Sequence, residues 1–177
     1  MASRKDRRAV FCVFLPRMEG PRAATIALVM AMTGMKRLIG LPVILNGRQI
    51  GTVARGVVSA DGKKLYGLVV RDGLRASRFL ESSGILMLGK VSVICGKKPQ
   101  RMPREAAFRL FRVTDANGAR IGLVTDALLD ENTLRVTALE ISSGPVDDLI
   151  AGRWYATVYD VRSIGLTGHV TVPCRQN

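Results

Sequence analysis

One histidine, His169, stands in 177 residues. That excludes a paired-histidine metal site built from this chain alone, and any histidine-based triad or His–Cys dyad would have to use His169 itself. Cysteine is nearly as scarce. Cys12, Cys95 and Cys174 are far apart and form no C-x-x-C pair. An odd, scattered set gives neither a disulfide framework nor a zinc site, and it fits reduced thiols in a cytoplasmic setting. Aromatic residues are only 5% of the chain, so a core must come from Val, Ile and Leu. No phosphate loop of the form G-x-x-x-x-G-K-S/T occurs, and the glycines between 34 and 51 have turn spacing instead.

Acidic residues are also in short supply, 14 against 27 Lys and Arg, for a net charge of +13. The excess is uneven. Residues 1–37 hold 8 basic and 2 acidic residues, residues 38–105 hold 12 and 4, and residues 106–177 hold 7 and 8. A basic first half suggests an anionic partner: RNA, DNA or an acidic membrane surface. A solubilising charge is the plainer explanation. The composition, 47% hydrophobic and 23% charged, is that of a globular protein.

Residues 1–34 carry Arg4-Lys5-Asp6-Arg7-Arg8 and an apolar run from Ala23 to Met32. The run is too short for a spanning helix, which needs about 20 apolar residues. Three readings stay open: an over-extended start or disordered tail, a signal or targeting peptide, or a short helix packed on the fold. Met35-Lys36-Arg37-Leu38 reads as a natural start that leads into the first strand.

The strongest pattern is an internal repeat. Asn46-Gly47-Arg48-Gln49-Ile50-Gly51-Thr52-Val53 recurs 71 residues later as Asn117-Gly118-Ala119-Arg120-Ile121-Gly122-Leu123-Val124. The offset continues without a gap. Val57 and Val58 fall on Leu128 and Leu129, Leu65 on Val136, Leu68 on Leu139, and Val70 on Ile141. Asn-Gly between apolar runs is a hairpin signal, because both residues accept positive φ. Each copy therefore reads as strand, Asn-Gly turn, long strand, Asp-rich turn, strand. Glycines within the long strand suggest bulges or sharp coiling.

Shorter apolar segments close each copy: 84–88 with 91–94 in the first, and 154–159 with 169–173 in the second. Val91 and Val93 align with Val170 and Val172 at an offset of 79, so the second copy has eight extra residues. These fall around Pro145-Val146-Asp147-Asp148-Leu149-Ile150 and are expected to add a helical turn. The expected organisation is residues 1–34 as an extension, 35–96 as the first repeat, 97–105 as a basic linker with two prolines, and 106–174 as the second repeat. Two units of about 70 residues are each near the lower size for independent stability, so packing together would help them. The fold class is all-β: two tandem small β-barrels with short helical turns.

The pattern resembles the PRC-barrel family of small β-barrel domains. The residues that carry the resemblance are Gly40-Leu41-Pro42-Val43, Asn46 to Gly51 and Gly67-Leu68-Val69-Val70. In the second copy they are Asn117 to Val124, Leu149 to Trp154 and Ile164 to Val170. It covers about residues 36–173. The resemblance implies non-catalytic docking to proteins or RNA and carries no catalytic residues to transfer; from the residues themselves no metal site and no cofactor is expected. The chain departs from the related ribosome-maturation barrel, because it has two barrels in tandem and no separate N-terminal domain.

Candidate chemistry is thin. His169 aligns with Lys90 and reads as a solvated turn residue. Asp147-Asp148 has no third ligand at useful spacing and reads as a loop or helix start. Cys95 stands beside Lys97-Lys98, which would lower its pKa if they face it; with no base nearby it reads as structural. Arg71, Arg75, Arg78, Lys90, Lys97, Lys98, Arg101 and Arg104 form the candidate anion- or RNA-binding constellation. Arg71, Arg75 and Arg78 would line one face if their loop contains a helical turn. Only Tyr66 and Phe79 lie near enough to stack on bases, so base-specific readout is not supported. The expected role is a non-catalytic adaptor that docks a protein partner. RNA contact through the basic half is the alternative, with cytoplasmic or membrane-peripheral placement and no small-molecule substrate evident. Oligomeric state is not legible.

Overall fold

Asn46 and Gly47 both adopt positive φ, 50° and 75°, and the chain reverses there between two paired strands. This is the tight hairpin the Asn-Gly pair predicts. In the second copy the same turn is one residue longer. Val43 pairs with Gly51, whereas Val113 pairs with Gly122. The extra length is bridged by Asp115, whose Oδ1 accepts the amides of Asn117 at 2.9 Å and Ala119 at 2.7 Å.

A computed structural model describes residues 32–173. In chain order they form β1 (Met32–Gly34), α1 (Met35–Leu38), β2 (Pro42–Leu45), β3 (Arg48–Val58), β4 (Leu65–Arg71), β5 (Arg78–Glu81), β6 (Ile85–Leu88) and β7 (Val93–Cys95). Then follow β8 (Arg109–Thr114), β9 (Arg120–Asp130), β10 (Val136–Ser142), α2 (Pro145–Ala151), β11 (Trp154–Ala156), β12 (Asp160–Ile164) and β13 (Thr167–Thr171). The fold is all-β in class, with two sheets. The first has strand order β5-β4-β3-β2-β7-β6, and the second β11-β10-β9-β8-β13-β12. The two orders match strand for strand. Each sheet is antiparallel except for one parallel pair, β2 with β7 and β8 with β13. The repeat seen in sequence is therefore a repeat of topology.

Neither hydrogen-bond ladder closes into a barrel. In the first sheet the outer edge of β5 pairs with the linker instead: Phe79 and Gln100 exchange both backbone bonds, at 2.9 and 2.7 Å. The extension expected over residues 1–34 lies mostly outside the described residues, but Met32–Gly34 are part of the fold. As β1 they pair antiparallel with Leu128–Asp130 of β9.

Three details of the closing strands differ from expectation. The parallel partners are Val43 with Val93 and Val113 with Val170. That makes the offset 77 rather than 79, so the second copy gains six residues rather than eight. The Trp154 segment is not the counterpart of the Ile85 segment. It forms β11 on the β10 edge, and the counterpart of β6 is β12. β12 reads Asp-Val-Arg-Ser-Ile and is largely exposed, so it shows no apolar run. His169 lies inside β13 opposite Arg162 rather than at a turn, because the reversal falls earlier, at Gly165 with φ 62°.

The two units meet about an approximate two-fold relation. Lys64 and Arg135, equivalent positions 71 apart, form an antiparallel bridge with one another. On either side, Leu65 N–H donates to Leu134 and Val136 N–H donates to Lys63, at 2.8 and 2.9 Å. The side chains exchange in the same sense. Val58 is buried in a core built mainly from second-unit residues such as Leu139, Ile141 and Val170. Its equivalent, Leu129, is buried in the first unit's core with Val43, Leu68 and Val93. β4 is consequently covered on both faces, Leu68 and Val70 toward one core and Val69 toward the other. This explains its unbroken apolar run.

Candidate functional site

The β4–β5 connection contains no helical turn of the kind that would line up Arg71, Arg75 and Arg78. β4 and β5 are paired strands, with Val70 opposite Arg78. Opposed residues share a face and successive residues alternate. Arg78 therefore lies on the Val70 face and Arg71 on the other. Arg75, in the turn between them, pairs with Asp72 at 2.9 Å, with both side chains exposed, a contact worth little in water.

The other basic residues divide into two groups. Residues 96–101 run antiparallel beside residues 79–84. Gly96 N–H donates to Gly84, the Lys97 ammonium reaches Ser83 Oγ at 3.4 Å, and Gln100 pairs with Phe79. Arg78, Lys97, Lys98 and Arg101 thus gather along one edge, all exposed. Arg104 follows in the 3-10 turn Arg104–Ala107. Lys90 is apart, at the β6–β7 turn near Arg37 and Glu131. The linker is docked to the first sheet, with Pro99 buried and Met102 packed on the shared core. Tyr66 and Phe79 stack on each other, ring centroids 5.1 Å apart, and Phe79 is buried, so it is no platform for a base.

Cys95 is buried, and its thiol donates to the Ile44 carbonyl at 3.3 Å. Burial pushes the thiol pKa up. Lys97 and Lys98 are exposed and do not offset this, so the thiol is the less reactive kind. Cys12 and Cys174 lie outside the described residues.

The inserted segment of the second unit forms α2, and sequence reasoning did not single out its surface. Val146, Leu149 and Ile150 are 69%, 88% and 80% exposed. Their i, i+3, i+4 spacing puts them on one side of the helix. The opposite side is tied down. Asp148 accepts from Ser142 Oγ at 2.6 Å and from the Ser143 amide at 3.2 Å. Arg153 bridges Asp148 at 3.4 Å and Glu140 at 2.7 Å. Glu140 also accepts from Thr125 Oγ1 at 2.7 Å and Tyr155 OH at 3.3 Å. Asp147 and Asp148 are thus the first turn of a helix. The Ser142 hydroxyl, the Ser143 amide and Arg153 hold the Asp148 carboxyl below its usual range. Burial raises the Glu140 carboxyl, but the Thr125 and Arg153 bonds outweigh it and leave the pKa lowered. The signal was present in the sequence as Val-x-x-Leu-Ile behind Gly144-Pro145, a short amphipathic helix start.

Among the described residues no group of three or more His, Cys, Asp or Glu is placed to hold a metal ion. No helix there is long and apolar enough to cross a membrane. No protein-family model matches the chain, and no curated protein matches it.

Proposed function

We propose that this chain is a non-catalytic adaptor, built of two barrel-like units, that docks a protein partner through α2 of the second unit. The observation that carries the reading is the trio Val146, Leu149 and Ile150, turned outward on a helix held from behind by Asp148, Arg153 and Glu140. Exposed apolar side chains in a group mark docking sites rather than ordinary surface. A short helix of this kind fits an apolar groove by its i, i+3, i+4 anchors. The resemblance to PRC-barrel docking domains supports the same role. The test compares tagged wild type with Leu149→Asp/Ile150→Asp, purified from the chain's own cells with and without nuclease. The partner set should shrink with the double variant and persist after nuclease. An identical partner set for both chains would overturn it.

A second reading, contact with RNA, is favoured by the strip of Arg78, Lys97, Lys98 and Arg101 along the β5 edge. Phosphate contact predicts affinity that falls steeply with salt. Four such contacts give a log–log slope of about −3 on single strands. Binding that ignores salt would remove this reading.

A further inference from the structure

A cleft of about 310 Å³ opens where the two units meet, and repeat-equivalent residues line its two sides. Arg55 and Asp126 are 71 apart in sequence, as are Gly56 and Ala127, and all four line it. Each charged residue grips the helical turn that opens the other unit. The Arg55 guanidinium donates to the Ala106 carbonyl at 2.6 Å, and Asp126 Oδ1 accepts the Lys36 amide at 3.1 Å. The clasp is reciprocal in place and opposite in charge.

The charges are unequally compensated. Asp126 also accepts the Ala127 amide at 2.8 Å and has the Lys36 ammonium near it. Arg55 is half-buried and forms no ion pair among the described residues. Its charged neighbour is a second guanidinium, Arg109, on the same cleft. Two cations lining one cleft, one of them partly desolvated and neither in an ion pair among the described residues, leave a place for an anion. The floor is apolar, formed by Phe108, Leu110 and Val58. The volume is at the lower end of ligand pockets, about 300–1,000 Å³. The Asp126 carboxylate on the opposite wall disfavours a dianion.

We propose that this cleft binds a small amphipathic carboxylate, its head between Arg55 and Arg109 and its apolar body on Phe108, Leu110 and Val58. The probe is hexanoate, titrated into the full chain and followed by amide chemical shifts. Hexanamide, which has the same body without the charge, and inorganic phosphate, which has the charge without the body, are the comparisons. Hexanoate should give saturable shifts at Arg55, Phe108 and Arg109. Hexanamide should bind about tenfold more weakly, and phosphate should not saturate. Arg109→Gln alters an exposed side chain and should weaken hexanoate about tenfold. Arg55→Lys, which keeps a donor for the Ala106 carbonyl, should also weaken it and serves if Arg109→Gln fails to fold. Equal binding of hexanamide, saturating phosphate, unchanged affinity in both variants, or no saturable shift at these residues would each overturn the proposal.

Discussion

The phenol of Tyr159 donates to the Gly62 carbonyl at 2.9 Å, across the seam between the two units. The neighbouring Lys63 ammonium donates to the Tyr159 carbonyl at 2.6 Å and sits 3.7 Å above its ring. One buried aromatic therefore fastens the β3–β4 turn of the first unit to the second. Gly62 is needed there: its φ is 69°, and a Cβ would meet Val161 at 2.7 Å.

Tyr159→Phe should keep the ring and lose the bond, leaving the Gly62 carbonyl without that donor. The expected cost is about 1–2 kcal/mol, or a melting temperature lower by about 2–8 °C. Thermal unfolding checks it. A variant as stable as wild type would show the seam bond to be dispensable.

The same residue gives a pH prediction. Burial, then the charge of Asp61, pushes the Tyr159 phenol from 10 up to about 12. The neutral form is the one the fold favours. Its stabilisation is complete below pH 10 and is lost as pH rises toward 12. Denaturant titrations from pH 9 to 12 should show wild type falling more steeply than Tyr159→Phe. Parallel curves would contradict the assignment.

Gly51 and Gly122, one of the two glycine pairs that recur in the repeat motif, sit in close approach to a neighbouring strand. A Cβ on Gly51 would lie 2.5 Å from the Arg71 carbonyl oxygen, and one on Gly122 2.2 Å from that of Ser142. Arg71 and Ser142 are themselves 71 apart. Each Gly→Ala change should cost about 1–3 kcal/mol from forced backbone shifts. Gly51 also has φ 153°, so chemical denaturation should find a loss at both sites, with added backbone strain at Gly51 only.

The repeat was legible because turn residues and apolar periods recur within a single copy. Asn46-Gly47 acts on near neighbours, so its meaning is local, and Gly51 was legible because it recurs as Gly122 at the same offset. What joins the copies was not legible. The exchange of Val58 and Leu129 between cores looks in sequence like any buried strand residue, because periodicity marks a buried face without naming what covers it. The polar β12 was missed for want of an apolar run. Gln100 pairs with Phe79 through backbone alone, which leaves no side-chain trace. Of the candidate site, the basic strip was legible in part. The helical spacing of Arg71, Arg75 and Arg78 misled because a hairpin can place arginines at the same intervals.

Asp126 offers a prediction of unusual sign. Burial raises its carboxyl pKa, and the Ala127 and Lys36 amides only partly offset this. A raised acid favours the fold at low pH, and that advantage is lost as pH rises through the folded value. Asp126→Asn keeps an acceptor oxygen for both amides and removes the partly desolvated charge. Stability at pH 7 should be unchanged or higher in Asp126→Asn, and lower in Asp126→Ala, which leaves the Lys36 amide unpartnered. If Asn and Ala destabilise equally at pH 7, the charge itself holds the turn.

The anchoring of α2 should respond to acid in the opposite way. Asp148 and Glu140 are both held below their ordinary pKa values, and Arg153 is raised by its bond to Glu140 and by that residue's charge. Depressed carboxylates stabilise above their unfolded pKa, and the effect disappears as pH falls through the folded one. Below about pH 4 the helix should therefore loosen from β10 while the sheets persist. Arg153→Gln should produce much of this loosening at neutral pH. Hydrogen exchange at Asp148, whose amide donates to Gly144 at 2.8 Å, reads the effect directly. Faster exchange at Asp148 than at β10 amides, in acid and in the variant, is the expected result. Unchanged protection would mean that α2 is held by packing rather than by these charges.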